Sequence, residues 1–278
     1  MSKRSDIVDG SEAIHRQYGL VYTCNLGWLD LGHMNPQEIR PNVGAAALWR
    51  QVRAGGPNAT APWCGWPHGR DNCGPAPGGV KRSLDMPTSA RRDTTVRFSD
   101  GATGFKVVSI QQMGKKLPLG TSVQANFQRE YVVRHGLDEA QKRSVALAIF
   151  MEVSVGFERM QGRFPYSLAS GDSSFSQEDL VSNIVGFYIA IGAVTKSQVL
   201  AAAHPVSKTA ALQIWDRNGS VGSNKNREFT PKLVGDTTSD DMQSCRDECM
   251  GQPRSTPAFL SQIRPAAKGT WFIDFPRA

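Results

Sequence analysis

The sequence predicts a mainly α-helical fold with a small β-sheet, an α+β arrangement whose helical core is lysozyme-like in the broad sense. Three observations carry this. Residues 144–162, SVALAIFMEVSVGFERMQG, form an almost unbroken apolar run, as expected of a helix in the middle of a domain. Residues 177–194, QEDLVSNIVGFYIAIGAV, have the same character and should pack against the first run. Three short β-patterned runs, TTVRF, GFKVVSIQQ and TWFIDFP, supply the sheet. One catalytic domain is expected over 1–278, with a Gly/Pro/Trp-rich flap at 54–89 and a β-rich insertion at 94–131.

Residues 1–17 are polar and suit an arm or short helix around SEAIHRQYG. LVYTC reads as a buried strand ended by a turn at Gly27. LDLGHMNPQEI then reads as a turn into a helix, with Pro36 near the helix start and GAAALWRQV behind it. Asp30 and His33, at i and i+3, should project from one side there. The density of Gly and Pro from Ala54 to Ser89 excludes regular structure, while Trp63 and Trp66 argue for an ordered flap lining a groove. Asp138 is an N-cap and Gln141 its capping-box partner for the central helix, which should end near Gly162. Ser176 with Asp179 marks a second helix start, with Glu178 favourable in its first turn. Further helices are expected in TKSQVLAAAHPVSKTAALQIWDRNG, broken before Pro205. SDDMQSCRDECMGQ should be a short acidic helix, and TWFIDFP a closing strand.

Lys and Arg number 32 against 25 Asp and Glu, a net charge of +7, which favours anionic partners. The basic runs KRS, RRD and GKK are short and scattered, so nucleic acid is not expected. No apolar stretch is long enough for a membrane span. MSKRSDIVDG lacks the apolar core of a secretory signal; this suits an intracellular protein, an excised domain, or export without a cleavable signal. Of five cysteines, Cys64 and Cys73 bracket a turn-rich loop suited to a disulfide or, with His68, to a metal. Cys245 and Cys249, at i and i+4, could pair only where a helix frays. Cys24 is then the expected free thiol.

Glu152 and Glu158 stand inside the apolar run, where a lone carboxylate costs several kcal/mol. Each could be a protonated general acid, a metal ligand, or a structural group tied to Arg or to backbone donors. On a continuous helix they lie roughly 9 Å apart along the axis and roughly 120° apart around it. Both reach one groove only if the side chains lean together or Gly156 interrupts the helix.

Three blocks in order, Tyr22 through His33, Glu152 with Glu158, and Phe175 through Gly186, resemble a family of bacterial envelope-associated proteins of unknown function. That family carries YTCxGGxxDxxH, a Glu-x5-Glu helix and FSxEDLxSNxxG. The resemblance covers about a fifth of the chain. It departs at Gly156 and Phe157, where the family has Trp-His, and at Leu26, where it has a second glycine. The resemblance implies a cell-envelope setting and similarity to toxin modules delivered into the periplasm by contact-dependent (type VI) secretion, a location compatible with paired cysteines.

The expected function is a peptidoglycan glycoside hydrolase, a lysozyme-like muramidase acting as an antibacterial effector in the periplasm of a target bacterium. Glycoside hydrolysis needs one protonated carboxylic acid and commonly a second carboxylate, and an apolar helix is a setting that raises a pKa. The expected catalytic residues are Glu152, Glu158, Asp30 and His33. The expected substrate contacts are Trp63, Trp66, Ser174, Glu178 and Asn183, with no cofactor or metal. Peptidoglycan and an immunity protein are the expected partners. The alternatives are a metal-dependent amidase or peptidase using His33, Glu152 and Glu158, a Cys24–His33 thiol hydrolase, and a non-catalytic envelope-binding protein.

Overall fold

The computed structural model describes residues 2–35, 43–55, 97–116, 122–163, 174–233, 247–250 and 255–275, with backbone alone at 63–64, 73–74, 113–116 and 122–125. In chain order the strands are β1 (Leu20–Thr23), β2 (Gly27–Asp30), β3 (Trp63–Cys64), β4 (Cys73–Gly74), β5 (Gly104–Lys116), β6 (Ser122–Arg134) and β7 (Phe272–Asp274). The α-helices are α1 (Leu31–Met34), α2 (Gly44–Ala54), α3 (Glu139–Gln161), α4 (Asp179–Ala190), α5 (Lys196–Ala203) and α6 (Lys208–Asn218). This is a mixed α+β fold. Where one domain was expected, the chain divides into two compact units, Met1–Pro36 with Glu158–Gln262, and Gln37–Phe157 with Ile263–Ala278. The boundary falls inside α3.

In the first unit, β1 and β2 pair antiparallel, with Tyr22 opposite Trp28 and their rings edge to face at 5.2 Å. The expected turn at Gly27 is therefore the start of a return strand. Thr23 makes this possible: its hydroxyl donates to Gly27 O and accepts from Leu26 N, at 3.0 and 3.1 Å. The positive φ of Gly27, +67°, completes the reversal. Ile7, Tyr22, Trp28, Val206, Ala210 and Ile214 form the core beneath the hairpin. The polar arm contains a 3-10 helix, Gly10–His15. The material expected on either side of Pro205 is α5 and α6. Thr195 and Gln198 make a capping box at the start of α5, and Ser207 caps α6.

A disulfide joins Cys24 to Cys249. This corrects the expectation of a free Cys24 thiol and removes the nucleophile that a Cys24–His33 hydrolase would need. Cys249 finds Cys24 because the β1–β2 turn and the helical turn at 247–249 meet, a juxtaposition that spacing within CRDEC does not contain. Cys245 lies outside the described residues.

In the second unit, β5, β6 and β7 form an antiparallel sheet in that order, and β7 is the expected closing strand. The Gln51 amide of α2 donates to Val108 O and accepts from Val108 N, at 2.8 and 2.9 Å, pairing with β5 as a neighbouring strand would. Asp138 and Gln141 form the expected capping box of α3, at 2.8 and 3.0 Å. Gly156 does not interrupt α3; a Cβ there would stand 2.4 Å from the Phe127 ring, so the glycine admits a close approach. Within the flap, β3 and β4 pair Cys64 opposite Cys73. The Trp63 side chain, Trp66, His68 and Pro36 lie outside the described residues.

Candidate active site

The site grows from the end of β2. Asp30 caps α1, its Oδ1 accepting from Gly32 N at 2.6 Å and His33 N at 3.3 Å. Its own N–H donates to the Ser182 hydroxyl on α4 at 2.8 Å. Gly186 brings α4 against the same short helix, since a Cβ there would lie 2.4 Å from His33 O. Thus α1 is clamped, and His33 presents its Nδ1 3.7 Å from Asp179 Oδ1. That is ion-pair distance rather than a hydrogen bond. The imidazole is 42% exposed and the carboxylate behind it 10%.

Residues 174–178 wrap the buried acids. Asp179 Oδ2 accepts from Ser176 N at 2.9 Å, and Glu158 Oε2 accepts from Phe175 N at 2.7 Å. The Ser174 hydroxyl donates to Glu158 O at 2.8 Å, occupying a carbonyl at the end of α3. Phe175 sits at φ +54°, a left-handed conformation unusual for a bulky residue. Asn226 N holds its carbonyl at 2.9 Å, and Lys225 donates to Ser174 O at 2.9 Å. Glu178 is buried; Oε1 accepts from the Ser2 hydroxyl at 2.9 Å, and Oε2 has no hydrogen-bond partner among the described residues.

Burial is the main cause that pushes the Glu158 and Glu178 carboxyls above their ordinary range. Asp179 is driven well above it, first by burial and then by the neighbouring charges of Glu158, Glu178 and Asp30. Glu158 is opposed by the Phe175 N–H, by His33 and by the neighbouring Asp179 side chain. Carboxyls buried beside one another favour the protonated form.

No family model, curated protein or solved structure matches this chain.

Asp30, His33, Glu158 and Glu178, all singled out in the sequence, come together, and Ser174 touches Glu158. Glu152 does not join them. It belongs to the second unit, about one-third exposed, where Lys268 Nζ reaches both its oxygens at 3.0 Å and Arg129 stands at 3.4 Å. The dry carboxylate expected there is a partly exposed ion pair, as six residues along a helix turn Glu152 and Glu158 to different sides. Among the described residues no group of three or more His, Cys, Asp or Glu has the arrangement of a metal site. Asn183 is half-buried on α4, with no hydrogen bond to the cluster among the described residues.

Asp179 is the site residue that the sequence does not reveal, since local spacing marks it only as a helix-capping acid. The available signal was that Glu178 and Asp179 open a helix whose sequence is apolar on most faces. No helix among the described residues is long and apolar enough to cross a membrane.

Proposed function

We propose that the first unit carries an acid–base hydrolase site for bacterial cell-wall glycan, a peptidoglycan glycoside hydrolase delivered as an antibacterial effector to the periplasm of a target cell. The observation that carries this reading is the buried Glu158–Asp179 pair behind the exposed imidazole of His33. A general acid for glycoside cleavage must keep its proton near neutral pH, and burial beside other carboxylates is how that is done. Asp179, slightly more exposed than Glu158, is the proton donor, and the neighbouring Glu158 carboxyl favours its protonated form. His33 orients Asp179 and faces substrate. Asp30, beside an open cavity, is the second carboxylate that activates water or stabilises positive charge on the sugar. The +7 charge draws the protein to an anionic wall, and the Cys24–Cys249 disulfide suits an oxidising compartment.

Mass spectrometry of purified peptidoglycan after incubation tests the proposal. New reducing-end sugars that vanish with Asp179→Asn support it; free stem peptides indicate an amidase, and no product removes the enzyme.

A second reading has one observation in its favour: the same two carboxylates each hold a backbone N–H of the 174–178 loop, as anchors would. Loss of thermal stability in Glu158→Gln with no glycan product from the native chain would favour that reading.

A further inference from the structure

A cavity of about 400 Å³ opens in the first unit beside the acidic cluster, and its lining includes Ser2, Ser5, Asp6, Tyr18 and Asp30. In a chain of net charge +7, the charged lining residues among those described, Asp6 and Asp30, are both acidic. The nearest arginine in sequence, Arg4, is engaged elsewhere: its guanidinium makes two 2.7 Å bonds to Asp216.

Three features set the chemistry of the cavity. Asp30 gives Oδ1 to the α1 cap, and Oδ2 makes no hydrogen bond among the described residues, leaving it able to accept from a ligand. Tyr18 is 62% exposed, an aromatic surface left to solvent at the cavity wall. Gly32 lets that ring and the carboxylate sit side by side, since a Cβ on Gly32 would lie 3.1 Å from Tyr18 Cδ1 and 3.0 Å from Asp30 Oδ1. Behind them, Ser2 connects the lining to Glu178, whose second oxygen is buried and has no hydrogen-bond partner among the described residues.

We infer that this cavity is a recognition site for an organic ammonium group, held between the Tyr18 ring and the carboxylates of Asp30 and Asp6. An ammonium offers the donors that carboxylates accept and is attracted to an aromatic face. A neutral hydroxyl or acetamide of the same size lacks that attraction. The ammonium can come from a basic amino-acid side chain in a peptide or from a de-N-acetylated amino sugar. The inference goes beyond the hydrolase proposal, because it is decided by binding and holds whether or not a bond is cleaved.

The test is calorimetric titration of the full chain at low salt with two matched pairs. N-acetyl-lysine amide is compared with N-acetyl-norleucine amide, and a glucosamine tetramer at pH 6 with the N-acetylglucosamine tetramer. The expected result is at least tenfold tighter binding of the charged member in one pair or both, which identifies the source, with binding that weakens as salt is raised. Tyr18→Leu, and at least one of Asp6→Asn and Asp30→Asn, should reduce the preference fivefold or more. Tyr18 and Asp6 are exposed, so these variants test the site even where Asp30→Asn disturbs the α1 cap. Equal binding of charged and neutral members in both pairs, no binding of any probe, or a preference unchanged in Tyr18→Leu or in both aspartate variants overturns the inference.

Discussion

Asp179 stands 3.7 Å behind His33 Nδ1, so a carboxylate from the start of α4 underlies an imidazole from α1. Two segments far apart in sequence meet there. Asp179 also lies beside Glu158, Glu178 and Asp30, whose charges act on it, so what titrates is a group of residues. Its behaviour with pH follows from where the protons sit.

Asp179 has a folded-state pKa well above its unfolded one. The native state therefore binds more protons than the unfolded chain once pH exceeds about 4, and stability falls as pH rises through the folded value. Asp179→Asn keeps an acceptor for Ser176 N and removes the charge. Its melting temperature should exceed that of the native chain by about 3 °C or more at pH 8 and by less at pH 4, the scale on which ~1 kcal/mol is felt. Melting curves across pH 4–8 check this.

Glu158→Gln keeps the acceptor for Phe175 N but removes the ionisable carboxyl beside Asp179. Glycan cleavage should fall by about 10²-fold or more, the usual effect of losing a general acid, with little change in melting temperature. Glu158→Ala also orphans a buried N–H and should cost about 1–3 kcal/mol in stability. Product yields and melting curves on the two variants separate chemistry from anchoring.

Glu152→Gln removes the ion pair with Lys268 and Arg129. It should leave cleavage unchanged and cost under about 1 kcal/mol, less in high salt, as for other partly exposed pairs. A hundredfold activity loss in this variant would return Glu152 to the site.

Gly186→Ala places a methyl group where His33 O stands. The backbone of α1 must shift, so stability should fall by about 1–3 kcal/mol. His33 moves with α1, and cleavage should fall further than in a destabilised control of equal melting temperature.

Replacing Cys24 and Cys249 together by serine opens a loop of 225 residues. Stability should fall by about 2–5 kcal/mol, measured by urea unfolding under non-reducing conditions.

Much of the helical framework was legible because its signals are local. The Asp138–Gln141 box and the break before Pro205 each depend on a few neighbouring residues. The β2 strand was hidden because Gly27 reads as the end of a strand, whereas the Thr23 hydroxyl turns it into the start of the next. Glu158 and Glu152 looked alike in sequence, each an acid in an apolar run; only the rotation between them, roughly 120° on an ideal helix, sends one to the 174–178 loop and the other to Lys268. Asp179 was unreadable as a site residue because its partners, His33 and Glu158, come from other segments.

The division of the first unit between Met1–Pro36 and Glu158–Gln262 sets an order on synthesis. As the chain leaves the ribosome, His33 emerges long before Asp179, and Cys24 waits for 225 further positions before Cys249 appears. A translation product stopped ahead of residue 179 has an imidazole with no carboxyl behind it, so this arrangement exists only after both stretches have been made.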